Sequence, residues 1–243
     1  MNYKNCYIIT GASKGLGKAL TDLLRSDKDN LVIGIARSSL KSQGNFTGLS
    51  MDLSDTRGLI ERMDQILPEG PFDKVVLVNN AGWIGEIAHT GHLSPESIQT
   101  IYQVNVIAPA ILMNAFMRQY DGYNGERIIV NVSSGAARKI TDGWSGYSAS
   151  KAALNQMTAV AQHEADLKNR GFRLFALSPG IIDTPMQEAI RSAPEEGFSS
   201  LAKFKSFKSE GALSTPEEIA KKVAYLIANP GHFTGVLQDV REF

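Results

Sequence analysis

Along the chain, short apolar runs alternate with longer stretches in which apolar residues recur every three or four positions. Residues 5–10, 31–36, 74–79, 127–132, 172–177 and 235–240 are rich in β-branched and aliphatic side chains, with a weaker run near 48–51, and these predict strands. The three-to-four periodicity predicts helices over 16–26, 55–67, 95–120, 147–170 and 216–228. Two of them carry start signals: Ser94 before Pro95, and the capping box Thr215-Pro216-Glu217-Glu218. Gly171, just after Lys168 and Arg170, reads as a stop for the fourth helix. Strand and helix taking turns in this way call for a parallel sheet covered on both faces, which makes the chain α/β. No repeat or low-complexity linker interrupts residues 1–243, so a single domain is expected. The least patterned stretch, 181–214, predicts two short helices inserted between the last two strands. Long insertions in compact domains are often functional, so this one is read as a substrate lid, with a structural excursion as the alternative.

Composition narrows the partner. With 243 residues and 43% hydrophobic content, the chain can bury a core without a disulfide or a metal, and no metal site is expected. Its 25 basic and 25 acidic residues cancel, which argues against nucleic acid or an anionic membrane and for a small molecule. The lone cysteine, Cys6, starts an apolar strand and reads as a packed hydrophobe suited to a reducing compartment. No uninterrupted apolar run approaches about 18 residues and no cleavable leader is apparent, so the expectation is a cytoplasmic protein.

Chemistry enters at Thr10-Gly11-Ala12-Ser13-Lys14-Gly15-Leu16-Gly17, which leaves a strand and opens a helix. Backbone N–H groups and the helix dipole can receive a pyrophosphate there: Gly11 permits the turn, Gly15 lets backbone approach phosphate, and Gly17 packs helix on sheet. The expected architecture is therefore a Rossmann-type doubly wound sheet of about seven strands. After the second strand the carboxylate that would hold a free ribose 2′-hydroxyl is missing, and Arg37-Ser38 stands in its place. Arg37 can pair with a 2′-phosphate and Lys14 can add a second charge, which favours NADP(H) over NAD; a solvated surface arginine is the alternative. Asp52, followed by Leu53 at the expected end of the third strand, suits either an adenine amino group or a helix cap.

Tyr147 and Lys151 lie four residues apart on a predicted helix and so share a face. A neighbouring ammonium stabilises a phenolate, so Lys151 is expected to lower the Tyr147 pKa and make its hydroxyl a usable proton donor. Asn131-Val132-Ser133-Ser134-Gly135 ends an apolar strand where open α/β sheets bind ligands. Either serine can donate to a carbonyl oxygen, and both also suit a turn. Asn105 precedes Pro109 by four residues. The proline has no N–H for the Asn105 carbonyl, so a distorted turn and a carbonyl able to hold a water near Lys151 are expected.

Taken together, TGASKGLG at 10–17, Asn79-Asn80-Ala81-Gly82, Asn105, Ser134, Tyr147-Ser-Ala-Ser-Lys151, and Pro179-Gly180 followed by Thr184 resemble the short-chain dehydrogenases/reductases, in that family's order and over nearly the whole chain. The resemblance implies Ser134, thirteen residues before Tyr147, as the carbonyl stabiliser. It implies Tyr147 as acid/base, and Lys151 also holding the nicotinamide ribose. Asn80, Ala81 and Gly82 would flank the cofactor, and Pro179, Gly180, Ile182 and Thr184 its carboxamide end. A homodimer or homotetramer built on the 95–120 and 147–170 helices is the assembly it implies.

A narrower likeness, in Gly143-Trp144-Ser145-Gly146-Tyr147, in Asp183-Thr184-Pro185-Met186-Gln187 with Ile190-Arg191, and in Asp239-Val240-Arg241-Glu242-Phe243, is to the sepiapterin reductase-like group and, within it, to benzil reductases that form (S)-benzoin. The expected reaction is hydride transfer from NADPH to a ketone or 1,2-dicarbonyl, the substrate lying between Trp144, Met186 and a lid bearing Phe198, Phe204 and Phe207. Asp239 would contact a pterin amine if the substrate were sepiapterin-like. A non-catalytic NADP sensor would need the glycine loop but not Ser134, Tyr147 and Lys151 together.

Overall fold

The structure, a computed structural model, describes residues 3–243. Seven strands, β1 (Asn5–Thr10), β2 (Asn30–Ala36), β3 (Phe46–Ser50), β4 (Lys74–Asn79), β5 (Glu126–Val132), β6 (Phe172–Ser178) and β7 (Leu237–Asp239), form one sheet in the order β3-β2-β1-β4-β5-β6-β7. All pairings are parallel. The chain winds outward from β1 to β3, then crosses back to lay β4 on the other side of β1. Connections after β1 and β4 therefore leave in opposite directions, and a crevice opens at the carboxyl ends between them.

Alternation along each strand divides the core into two layers. Cys6 and Ile8 face α2 (Thr56–Glu61), α3 (Met63–Ile66), α5 (Ala108–Gln119) and α6 (Ser145–Leu167) through Leu59, Ile66, Leu112, Phe116 and Ala165. Tyr7 and Ile9 face α1 (Gly15–Arg25) and α9 (Pro216–Ala228) through Leu16, Leu20, Ile219, Val223 and Leu226. Cys6 is wholly buried and burial pushes its thiol up to about 12, in keeping with a packed hydrophobe. A third cluster, outside the sheet, joins the start of α6 to α7 (Pro185–Arg191) and α8 (Leu201–Ser209), the two short helices of the insertion.

Several boundaries differ from the sequence pattern, each for a local reason. The helix expected over 55–67 breaks at Arg62, whose guanidinium turns to the Ser50 carbonyl and to Gln65. The 95–120 stretch is interrupted between α4 (Pro95–Tyr102) and α5 by a π turn, Gln103–Ile107, in which the Ala108 N–H donates to the Gln103 carbonyl. That is the distortion expected ahead of Pro109. Helix α6 stops at Leu167, before the glycine expected to end it, because Asn169 takes a left-handed conformation (φ 50°) and the Arg170 N–H closes onto the Ala165 carbonyl. Strand β7 is three residues long rather than six, Gly235 with φ 76° holding the chain out of the ladder before it.

Pro95–Gln119 is long and apolar enough by composition to cross a membrane, the one such run among the described residues. It is laid against the sheet instead, with Ala108, Leu112 and Phe116 wholly buried.

Beneath the crevice a buried polar chain ties sheet to helices. Asn79 Nδ2 donates to Asn131 Oδ1 at 2.8 Å, and Asn131 Nδ2 donates to Thr158 Oγ1 at 2.8 Å and to the Met113 sulfur at 2.9 Å. Replacing Asn131 by alanine strands the Asn79 carboxamide in a dry interior, while Thr158 keeps its bond to the Leu154 carbonyl. The expected loss in urea denaturation is about 2–3 kcal/mol. A loss under about 0.5 kcal/mol would show that these bonds do not hold β4 and β5 to the helices.

Candidate active site

The crevice between β1 and β4 widens into a cleft of about 1120 Å³ along the carboxyl edge of the sheet. Its glycine loop is shaped by contact with the loop after β4. Gly11 has φ 72°, and a side chain there would begin 2.8 Å from Asn80 Nδ2 and 3.0 Å from Ala81 Cα. At Gly17 a Cβ would lie 2.2 Å from the Gly11 carbonyl oxygen and 2.4 Å from Asn80 Nδ2. Gly17 is thus required by the loop folding on itself and on Asn80, rather than by helix packing on the sheet. Thr10 completes the junction: its Oγ1 accepts from the N–H groups of Asn80 (3.0 Å) and Ala81 (2.9 Å). The Asn80 carboxamide donates back to the Thr10 carbonyl at 2.9 Å.

No side chain caps the start of α1 and no acid lies in its first turn, although α2, α4 and α9 are capped by Asp55, Ser94 and Thr215. The free N–H groups of α1 therefore face the cleft beside Ser13, Lys14, Gly15 and Leu16, a setting that fits a pyrophosphate. Arg37 and Ser38 line the same end. Among the described residues, no carboxylate pairs with Arg37 or Lys14. Asp52 lies two residues beyond β3 rather than at its end, and it accepts from the Ser54 N–H and hydroxyl; the helix cap is Asp55. Asp52 and Leu53 line the cleft, as do Asn80, Ala81, Gly82, Pro179, Gly180, Ile182 and Thr184.

At the centre of the cleft Ser134, Tyr147 and Lys151 come together. The two serines after β5 are told apart by their partners. Ser133 is buried and gives its hydroxyl to Asn155 Oδ1, whereas Ser134 stands at the wall next to Tyr147 and accepts the Ala136 N–H at 3.1 Å. Lys151 is 3% exposed, and its Nζ donates to the Val132 carbonyl at 2.8 Å, 5.9 Å from the Tyr147 ring centre. Burial lowers the Lys151 pKa to about 8. The expected lowering at Tyr147 is not what the structure has. Burial raises the Tyr147 pKa, the Ser134 hydroxyl pulls it the other way, and the Lys151 ammonium is spent on Val132. The phenol is consequently protonated at neutral pH, a state from which it can give a proton.

Asn105 does not line the cleft. Its carboxamide exchanges hydrogen bonds with the Trp83 N–H (2.9 Å) and carbonyl (2.8 Å) and donates to Ser150 Oγ at 3.1 Å. Ser150 in turn donates to the Tyr147 carbonyl. Asn105 therefore braces the loop after β4 against the turn of α6 that carries Tyr147 and Lys151.

Over the outer end, Trp144 stacks on Phe198 (5.5 Å, 17°) and meets Tyr147 edge-on at 5.6 Å. Trp144, Met186, Phe204 and Phe207 line the cleft. Phe198, expected among them, is wholly buried behind Trp144, where it fills the insertion's own core. Asp239 reaches the wall, but its carboxylate is held below the ordinary range by the Arg241 guanidinium bonded to it. It is no free acceptor for an amine. Sequence reasoning missed Gln187, Lys139, Lys203 and Arg241 on the wall, and Thr10, Ser150 and Asn155 behind it; only Thr10, inside the glycine motif, carried a usable signal.

A phosphate-binding turn, a buried Tyr–Lys pair and a serine at the strand ends of a doubly wound sheet define the class as a nucleotide-dependent oxidoreductase. The family model for short chain dehydrogenase matches residues 5–195, and the chain belongs to that family. Benzil reductase ((S)-benzoin forming) of Bacillus subtilis is 33% identical over 241 residues, covering 98% of each chain. Among solved structures, the KRED1-Pglu enzyme superposes with a TM-score of 0.81 at 28% identity, over 96% of this chain and 99% of its own. A 4-hydroxyisoleucine dehydrogenase complexed with NADH gives 0.79 at 26% identity, over 97% and 96%.

The buried ammonium has a consequence for stability. Lys151 titrates near 8 in the folded chain and near about 10.4 unfolded. Between those values the unfolded chain keeps a proton that the native state has released, so this residue's penalty is full below pH 8 and fades as pH rises towards 10.4. In denaturation without cofactor, Lys151→Met should therefore gain on the parent chain at pH 7 by more than at pH 10. A difference constant with pH would show that the ammonium is not desolvated.

Proposed function

We propose that the chain is an NADPH-dependent carbonyl reductase that acts on a ketone or on one carbonyl of a bulky 1,2-dicarbonyl to give the hydroxy compound. The observation that carries this reading is the meeting of the Tyr147 hydroxyl, the Ser134 hydroxyl and the Lys151 ammonium in one cleft with an uncapped phosphate turn. NADPH, when bound, supplies the hydride. Its pyrophosphate would lie on the free N–H groups of α1 and its 2′-phosphate against Arg37 and Lys14, the only unpaired cations at that end among the described residues.

Ser134 donates a hydrogen bond to the substrate carbonyl oxygen and orients it beside Tyr147. Negative charge that develops on that oxygen is stabilised by the hydroxyl, and the Tyr147 proton then passes to it. Lys151, mostly protonated at neutral pH with its Nζ on the Val132 carbonyl, holds a positive charge 5.9 Å from the Tyr147 ring centre. The aromatic wall of Trp144, Phe204 and Phe207 with Met186 excludes water and suits an aryl or otherwise bulky substituent. The benzil reductase relationship supports the dicarbonyl as substrate class. The outer faces of α4, the π turn and α6, where Ile98, Ile107 and Val160 are exposed, would serve a homodimer or homotetramer.

Tyr147→Phe should remove nearly all turnover of benzil while NADPH still binds, since only the transferable proton is lost. Near-normal turnover in this variant would remove Tyr147 from the reaction.

Arg37→Ala removes a charge-assisted contact worth about 1.5–3 kcal/mol, so the preference for NADPH over NADH in kcat/KM should fall by about tenfold to a hundredfold. An unchanged ratio would mean that the guanidinium does not read the 2′-phosphate.

A further inference from the structure

The charges at the outer end of the cleft do not balance. Four charged side chains line it: Lys139, five residues after Ser134; Lys203, on α8; Arg241; and Asp239. Asp239 and Arg241 are bonded to each other and cancel. Among the described residues, Lys139 and Lys203 have no carboxylate within ion-pair distance, and the Lys203 ammonium lies 5.9 Å from the Phe207 ring centre. On the same insertion Lys208 does find a carboxylate, that of Asp183. The phosphate groups of a nucleotide cannot be the missing counter-charge, because the uncapped turn and Arg37 lie at the other end, beyond Tyr147. Both lysines are exposed, and Trp144, Phe204 and Phe207 line the same cleft.

We propose, resting on the reading of this cleft as a carbonyl reductase site, that its substrate carries a carboxylate remote from the reacting carbonyl and that Lys203 and Lys139 bind it. The substrate class is then an acidic aromatic ketone or diketone, its ring against Phe204 and Phe207 and its reacting end at Tyr147. Neither lysine touches the reacting atoms. Each is a specificity residue.

The test compares two probes of similar shape, benzil and 4-carboxybenzil, at neutral pH and low ionic strength. Two exposed ammonium groups acting on one carboxylate are worth a few-fold each, so kcat/KM should favour the carboxylated diketone by about three- to tenfold. The preference should shrink in about 0.5 M NaCl, approach unity in Lys139→Gln/Lys203→Gln, and invert in Lys203→Glu. Equal kcat/KM for the two probes, or a preference indifferent to salt and to the lysines, overturns the anion site and leaves the reductase reading intact. If neither diketone is reduced, the dicarbonyl reading fails, and calorimetric titration of the protein with the same two compounds decides the anion site. Tighter binding of 4-carboxybenzil that is lost in the double variant upholds it, and equal binding overturns it.

Discussion

The site depends first on the junction between the ends of β1 and β4, where a parallel sheet must part and yet remain closed to solvent. Beyond Asn79 the ladder supplies no further bonds, and the gap is bridged by Thr10 accepting two backbone N–H groups and by the Asn80 carboxamide returning a bond to the Thr10 carbonyl. That cross-tie draws the two loops so close that Gly11 and Gly17 have no room for a side chain. The same closeness aims the bare start of α1 into the cleft. An ordinary cap on α1 would satisfy those N–H groups and abolish the anion site; leaving them open is a local instability that a bound phosphate relieves.

A second constraint is burial. Lys151 is charged in a place that opposes charge, and its only protein partner is one backbone carbonyl at the end of β5. Such an ammonium keeps its place because its surroundings are rigid: Asn105 fixes Trp83 and Ser150, and Ser150 fixes the Tyr147 carbonyl one turn before the lysine. Pro109 contributes through the π turn that it follows, which sets the local geometry at Asn105. Burial also leaves Tyr147 protonated, which suits an acid waiting for an oxyanion.

How far the sequence carried this reading depended on the range of the interaction. Strand and helix positions followed from periodicity, and Gly11, Ser134, Tyr147 and Lys151 followed from motifs whose spacing is set by one turn or one strand end. What failed was tertiary in origin. Arg62 breaks a helix because its guanidinium finds the Ser50 carbonyl twelve residues away. Phe198 leaves the cleft because Trp144 offers it a stacking face. The expected lowering of the Tyr147 pKa by Lys151 is absent because helical spacing places two side chains on one face but says nothing of desolvation or of Val132. Asp239 looked free because no one-dimensional pattern distinguishes a salt-bridged carboxylate from an open one two residues before an arginine. Residue chemistry left Ser133 and Ser134 open, the motif spacing favoured Ser134, and the physical reason is Asn155, which takes the Ser133 hydroxyl through packing.

The two halves of the cleft are held with different stiffness, and this bears on what each can specify. The reacting half rests on strand ends, the buried Asn79–Asn131–Thr158 chain and the Asn105 brace, all shielded from water. The outer half rests on an insertion held to the start of α6 by the buried cluster around Trp144 and Phe198 and by Asp142 accepting the Ser199 N–H and hydroxyl, while Lys208 on Asp183 and the bridge between Ile182 and Ser214 close the insertion on itself. The polar ties are exposed and individually weak in water, so the apolar cluster is the main hold on the insertion. Chemistry is therefore built into the sheet, where one displaced group would cost the reaction, and substrate choice into the insertion, where Trp144 packs against Phe198 and Phe204. Among those contacts Trp144 alone belongs to both halves, since it packs on Tyr147 as well, so the indole couples the packing of the insertion to the position of the tyrosine ring.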